Sequence, residues 1–171
     1  MTAHAPSRNA ALLCAAIGLS ICSGAAVLVG ADPAVAQTEP VMEVTAGGSF
    51  DDVKQQLLLA IENRGLVVSH ESKVGEMLER TGKDLGVANR IYARAEVLEF
   101  CSATLSRQLM QADARLLAFC PFGIGIYTLP SKGNRVHLVY RRPRWEGSGP
   151  ATEALMQVDR LLYEIVQEAG Q

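Results

Sequence analysis

Hydrophobic residues beyond position 40 recur with two different periods, and these predict alternating strands and helices. Residues 41–45 alternate between apolar and polar side chains and include β-branched residues, which is typical of a strand. The same reading predicts further strands at residues 66–70, 91–100, 119–129 and 136–140, helices between residues 49 and 65, at 72–82, at 102–113 and from residue 150 onward, and a loop at 83–89.

Residues suited to helix ends mark the first and last of these helices. Ser49 can accept a hydrogen bond from a first-turn amide, and Asp51 and Asp52 follow where the helix dipole favours negative charge. Gly65 can adopt the left-handed conformation that ends many helices. Pro150 suits the first turn of the last helix, which carries a broad apolar stripe. Both helices are therefore expected to pack one face on a sheet.

Turn-forming residues at 130–134 separate two predicted strands and indicate a β-hairpin. A hairpin makes the sheet at least partly antiparallel, while helices interleave with the other strands. In the strand at 91–100, Arg94, Glu96, Leu98 and Phe100 share one side. The pattern predicts the α+β class, with helices packed over a sheet in a single domain.

Two segments in the middle of the chain resemble a known bacterial family. The sequence AEVLEFCS at 95–102 leads into a helix, and AFCPFGIGIY at 118–127 returns as a strand. This arrangement resembles the domain-of-unknown-function 302 family. The resemblance implies a small α+β domain with a curved, largely antiparallel sheet, and it implies no activity. Many members place a cysteine directly after the proline, where this chain has Phe122; its own cysteine is Cys120.

The first 36 residues have the order of a secretory signal peptide. Arg8 precedes an uncharged apolar run at residues 9–31, and the small-x-small tripeptide Ala34-Val35-Ala36 follows. We predict cleavage after Ala36 and a periplasmic or secreted mature protein with no stable membrane anchor. The alternative is an uncleaved signal that anchors the chain in the inner membrane, since the run approaches the roughly 20 residues of a membrane helix.

Cleavage would remove 36 of the 171 residues and leave 135, which is enough for one domain with its own core. Residues 37–48 are expected to form a tail and the start of the first strand, and residues 49–171 the α+β domain. The formal net charge of −2 gives no bulk attraction for nucleic acid. Nucleic acid is therefore not an expected partner.

Cys101 is the most specific candidate for chemistry. It lies where a strand is predicted to turn into a helix, and amides at a helix N-terminus stabilise a thiolate. Glu99, on the same strand face, would oppose ionisation of the thiol or accept its proton. The alternative is that Cys101 is a small buried apolar residue or one half of a disulfide.

Cys120 is the candidate partner for such a disulfide. A helix of about ten residues carries the chain some 15 Å away from Cys101. Residues 115–119 must then return in extended form to bring the two α-carbons within about 7 Å. A bridge and a pair of free thiols are both compatible with this spacing.

Glycine spacing in the strand at 119–129 indicates a candidate ligand site. Gly123, Gly125 and Tyr127 share one face, on which the two glycines leave the backbone bare. That face has room for a flat ligand. The alternative is close packing of a helix against the sheet.

A basic and aromatic corner follows the last strand. Arg141, Arg142, Arg144 and Trp145 together suit an anion or the acidic surface of a partner. The alternative is a solvated strand end, where charged side chains contribute little.

The chain lacks the sequence motifs of common catalytic, metal and phosphate sites. No cofactor and no metal site are expected, although His70 and His137 lie in strand patterns. The leading hypothesis is a non-catalytic domain that binds a small ligand or a periplasmic partner protein, with a groove on the glycine face. The alternatives are a thiol-dependent redox or sulfur-handling protein that uses Cys101 with Cys120, and a structural or assembly role that includes homo-oligomers.

Overall fold

The computed structural model describes residues 39–171 apart from residues 88, 132 and 134. The predicted signal peptide and its cleavage site therefore lie outside the described residues. The order of elements is β1 (Val41–Gly47), α1 (Phe50–Glu62), β2 (Val68–Ser72), α2 (Val74–Asp84), β3 (Arg94–Phe100), α3 (Ala103–Ala112), a 3₁₀ helix (Ala114–Phe119), β4 (Phe122–Thr128), β5 (Arg135–Arg141) and α4 (Pro150–Ala169).

The five strands form one open sheet in the order β1-β5-β4-β3-β2, and each strand is antiparallel to its neighbours. β4 and β5 are the predicted hairpin, and β1 and β2 are the two edges. Because the strands are all antiparallel and the helices pack on the sheet, the predicted α+β class is confirmed. Within the described residues, no helix combines the length and the apolarity needed to cross a membrane.

The two faces of the sheet have different surroundings. The cross-strand register places Leu98 opposite Ile124 on the inner face, where α1 and α4 pack and both side chains are fully buried. Val97 and Gly125 are also opposite one another, and they point to the other side, the outer face. The helices contribute to the core the buried residues Leu57, Ala60, Ile61, Leu109, Leu155, Leu162 and Ile165.

Local sequence signals set the ends of α1, as predicted. Ser49 Oγ accepts a hydrogen bond from the backbone amide of Asp52 at 3.1 Å, so the hydroxyl caps the helix. Gly65 follows the helix with a φ of +68°, in the left-handed region that favours glycine. The chain can therefore reverse within three residues of Glu62 and enter β2.

Several predicted boundaries are wrong. The strand predicted at 66–70 lies at Val68–Ser72, because its pairing with β3 begins only at Val68 and contains a register shift before His70. The strand predicted from residue 119 begins at Phe122. Residues Ala114–Phe119 instead form a 3₁₀ helix, because the Asp113 carboxylate accepts a hydrogen bond from the Arg115 amide at 2.8 Å and caps the turn.

A buried ion pair links α1 to the inner face of β3. Glu96 is 5% exposed, and its carboxylate lies 2.6 Å from Lys54 Nζ and 3.0 Å from the guanidinium of Arg94. Burial opposes ionisation of Glu96, but the hydrogen bonds from Lys54 and Arg94 outweigh it and lower its pKa. The carboxylate is thus held in its charged form inside the domain.

Candidate functional site

The two cysteines of the described chain meet at the end of the β3–β4 ladder. β3 and β4 pair up to Phe100 and Phe122, so Cys101 and Cys120 flank the last rung. The two side chains are near neighbours there, because Cys120 adds to the effect of burial in raising the pKa of Cys101, while the Phe122 amide opposes that rise. Both cysteines are free thiols; Cys101 is exposed and Cys120 is half-buried. The structure therefore brings together the pair that the sequence left open.

The surroundings of Cys101 favour its thiol form over the thiolate that a helix terminus would stabilise. Partial desolvation of the thiol, the neighbouring Cys120 and the charge of Glu99 all raise the pKa of Cys101. Cys101 precedes the capping residue Ser102, whose hydroxyl accepts the Leu105 amide at 3.4 Å. The thiol therefore lies outside the first turn of α3, and at neutral pH it stays protonated.

The glycine face of β4 is occupied by neighbouring side chains. A Cβ atom at Gly125 would lie 3.0 Å from Val139 Cγ2, and one at Gly123 would lie 3.6 Å from Val97 Cγ1. The bare backbone thus accommodates two valines of the flanking strands. The side chains that contact these glycines belong to strands, whereas the alternative stated from the sequence was a packed helix.

Tyr127 belongs to a polar and aromatic cluster on the outer face. Its ring stacks on His137 with centroids 4.6 Å apart and planes within 5°, and Tyr92 meets the same ring edge-on at 5.3 Å. Glu43 accepts hydrogen bonds from His137 Nδ1 at 2.5 Å and from the Tyr127 hydroxyl at 3.3 Å. Burial and the carboxylate of Glu43 raise the pKa of Tyr127. The cluster fixes the outer face around Tyr127 and orients the imidazole.

The residues of the predicted basic corner have different surroundings in the structure. Arg142 is half-buried: it pairs with Asp159 at 3.4 Å and contacts Met42 Sδ at 3.2 Å. Arg144 donates to the carbonyl of Glu39, and Trp145 packs against the core. Arg141 is exposed at the end of β5. Two of the three arginines therefore serve contacts within the fold, so the corner is not one shared anion site.

A cavity lies between α2 and residues 85–87 and 89–92, which follow it. Its volume is about 290 Å³, and we refer to it as the α2 cavity. The large apolar side chains in its wall are Leu78, Leu85, Val87, Ile91 and Tyr92. Charged groups at the same cavity are Glu79, Lys83 and Arg90.

The packing of α2 on β3 shapes this cavity. β2 ends at Ser72, which pairs with Val97, and α2 then takes its place beside β3. A Cβ atom at Gly75 would lie 2.8 Å from the backbone nitrogen of Ala95, so the helix lies directly against the strand. No residue of α2 is fully buried, and Met77 is 41% exposed. The helix therefore leaves apolar surface open beside the strand.

Sequence reasoning missed the residues of the α2 cavity and the partners of Tyr127. Residues 83–89 looked like an ordinary loop, although Leu85 and Val87 are apolar side chains among turn-forming neighbours. These apolar residues within a predicted loop were the one sequence feature that could have indicated the cavity. Glu43 and Tyr92 carried none, because their contacts with Tyr127 depend on strand order and on the path of the chain before β3.

The fold and the family can be compared with known proteins. A family model described as domain of unknown function DUF302 matches residues 42–169. A crystal structure of an uncharacterized conserved protein DUF302 from Bacillus stearothermophilus has a TM-score of 0.63 with this chain at 12% sequence identity. The similarity covers 76% of this chain and 98% of that one, and it shows the fold. No curated protein matches the chain.

Proposed function

This chain belongs to the DUF302 family, a domain of unknown function, and we propose that it is a non-catalytic binding protein that holds a small, largely apolar anion in the α2 cavity. The observation that carries the proposal is the cavity itself. Its volume of about 290 Å³ is near the lower end of the range of small-molecule sites, and its wall is mainly apolar.

Exposed apolar side chains at the cavity support a binding role. Leu85 is 78% exposed, Ile91 57% and Val87 55%, and all three belong to the wall. Exposed apolar residues scattered singly are ordinary, but three beside one cavity form a patch that a ligand would cover. Burial of this surface would supply the main favourable free energy of binding.

The charges at the cavity favour a ligand with a single negative group. Arg90 lies 3.3 Å from Glu79, so these two charges compensate each other. Lys83 is exposed at the same cavity and adds one further positive charge. A carboxylate or sulfonate on an apolar body would therefore match both the wall and its charge.

The composition of the wall supports binding rather than catalysis. Among the described residues of the wall there is no histidine or cysteine, the usual base and nucleophile of protein active sites. The hydroxyl of Thr81 donates to the carbonyl of Met77 at 2.9 Å, so it is already engaged. These groups suit recognition of a ligand and not its conversion.

The proposed ligand lies beside Tyr127 without lying on the glycine face. Tyr92 forms part of the cavity wall and also contacts the ring of Tyr127. Val139 lies tightly beside Gly125, and Val97 lies at ordinary contact distance from the Cβ position of Gly123. The ligand site is thereby moved from the groove expected on the glycine face to the neighbouring cavity, with Tyr92 between the two.

The test is a fluorescence titration with 8-anilinonaphthalene-1-sulfonate, an apolar aromatic anion, under conditions in which near-UV circular dichroism shows intact tertiary packing. We expect saturable binding of one dye molecule per chain. Lys83→Glu and Ile91→Asp should each weaken binding about tenfold or more, because they remove the favourable charge or place a carboxylate in the apolar wall.

Met156→Asp is the matched control, because Met156 is 62% exposed on α4 and Ile91 is 57% exposed at the cavity. Equal loss of dye binding in both aspartate variants, or no saturable binding to the folded parent protein, would contradict the proposal.

We further propose that the protein works outside the cytoplasm, since residues 1–36 have the order of a signal peptide. The intact mass of the protein recovered from cells that express the full chain tests this. Cleavage after Ala36 predicts a mature chain that starts at Gln37. A cytosolic protein that retains Met1 would contradict it.

A further inference from the structure

Cys101 and Cys120 form a second candidate site, which is separate from the α2 cavity. The two cysteines flank the last rung of the β3–β4 ladder, and Cys120 is near enough to contribute to the raised pKa of Cys101. Cys101 is exposed, so a dissolved reagent can reach it, whereas Cys120 is half-buried. The site therefore combines an accessible thiol with a shielded one beside it.

The path of the chain between the two cysteines explains how they meet. α3 carries the chain away from Cys101 for ten residues, which corresponds to about 15 Å of helix. The 3₁₀ helix Ala114–Phe119 then returns six residues at about 2 Å each, and Cys120 follows it directly. Ser106 Oγ of α3 lies 3.3 Å from Cys120 Sγ and holds that thiol against the helix. Close approach of the thiols is thus part of the folded state.

We propose that Cys101 and Cys120 form a reversible redox site, at which a low-molecular-weight disulfide oxidises the two thiols to an intramolecular disulfide. The thiolate of Cys101 attacks one sulfur of the oxidant, whose S–S bond breaks, and the leaving thiolate takes up a proton. Cys120 loses its proton and attacks Cys101 Sγ in the mixed disulfide, which releases the second thiol. Two electrons and two protons pass from the cysteines to the oxidant, which becomes two thiols.

The environment assigns the two steps to different residues. Cys101 reacts first because its side chain is exposed, and Cys120 resolves the mixed disulfide because the strand register places it beside Cys101. Ser106 Oγ lies 3.3 Å from Cys120 Sγ, so its hydroxyl is placed to donate a hydrogen bond to this sulfur during the second step. Since desolvation and its neighbours raise the pKa of Cys101, the first step is slow at neutral pH and accelerates at alkaline pH. These features fit a site whose oxidation state follows the redox potential of its surroundings. They do not fit a catalyst that turns over rapidly.

The experiment is an equilibration of the full chain, carrying Cys14→Ser and Cys22→Ser, in buffers of rising oxidised-to-reduced glutathione ratio. Free thiols are then blocked with N-ethylmaleimide, and intact masses are measured. We expect two populations only: one with two maleimide adducts, and one with none and two hydrogens fewer. The second should replace the first as the ratio rises, and dithiothreitol should restore it.

Two single variants complete the test. Cys120→Ser should accumulate one glutathione on Cys101, because no thiol remains to resolve the mixed disulfide. Cys101→Ser should acquire glutathione more slowly, because Cys120 is shielded. The proposal is overturned if the parent keeps two free thiols at every ratio, if it accumulates a stable glutathione adduct, or if it forms disulfides between chains.

Discussion

Gly75 of α2 lies against Ala95 of β3 so closely that a Cβ atom at position 75 would be 2.8 Å from the Ala95 nitrogen. This contact holds α2 beside β3 where β2 has ended. The α2 cavity lies between this helix and residues 85–87 and 89–92, so the contact also determines the shape of the proposed ligand site. A small change at Gly75 should therefore affect both stability and binding.

Gly75→Ala should destabilise the domain by about 1–3 kcal/mol, because the new methyl group meets backbone atoms that cannot move aside. Dye binding at the α2 cavity should weaken as well. Urea unfolding and the dye titration measure the two effects.

Gly82→Ala is the matched control on the same helix. Its Cβ would lie 3.5 Å from the Val87 carbonyl, an ordinary contact, and alanine favours a helix over glycine by up to about 1 kcal/mol. Equal destabilisation by the two substitutions would show that the Gly75 contact has no special role.

Lys54→Met should cost about 3 kcal/mol of folding free energy, because Glu96 is then buried without its closest positive partner. Lys73→Met provides a comparison at an exposed pair, since Lys73 and Glu76 are 3.6 Å apart and largely in solvent. That change should cost less than about 0.5 kcal/mol. Similar values for the two lysines in chemical denaturation would refute a structural role for the buried pair.

Glu96 should make the stability of the domain depend on pH in the acidic range. Its own burial opposes ionisation, but hydrogen bonds from Lys54 and Arg94 lower its pKa in the folded state below the ordinary value of 4.5. The unfolded chain therefore binds more protons, and the stabilisation is complete above about pH 4.5. It is lost as the pH falls through the lowered pKa of the folded state.

Glu96→Gln should accordingly be less stable than the parent at neutral pH and should lose less stability between pH 4.5 and pH 3. Glu164→Gln, an exposed change on α4, should retain the parent slope. Thermal unfolding across this pH range distinguishes the variants, and a parallel slope for Glu96→Gln would argue against the assignment.

Arg142 and Arg141 are adjacent in sequence but should behave differently. Arg142→Ala removes the half-buried contacts with Asp159 and Met42, and we expect a loss of about 2 kcal/mol. Arg141 is exposed, so Arg141→Ala should change stability by less than about 0.5 kcal/mol. The urea midpoints of the two variants test whether the contacts of Arg142 stabilise the domain. Equal midpoints would show that they do not.

Much of the fold was predictable because its signals are local. Ser49 and Gly65 mark the ends of α1 through their own backbone preferences, and the alternation in β3 separates buried Leu98 from Val97. The 3₁₀ helix after α3 was harder to predict from the sequence. It depends on the hydrogen bond that the Arg115 amide donates to the Asp113 side chain.

The candidate sites were predictable only in part. Cys101 and Cys120 stood out by residue type, but their contact depends on the register of β3 with β4. The α2 cavity could not be derived, because the approach of Gly75 to Ala95 joins residues twenty positions apart. Likewise, the pattern of charges groups Arg142 with its basic neighbours and contains no sign of its pairing with Asp159.

The central claim is that the α2 cavity is the ligand site, and amide chemical shifts of ¹⁵N-labelled protein titrated with 8-anilinonaphthalene-1-sulfonate test it most directly. We predict saturable shifts concentrated at residues 75–87 and 89–92, with a smaller change at Tyr127 through its contact with Tyr92. Shifts confined to α4 or to the outer face around Val139, with the α2 amides unmoved, would contradict the account.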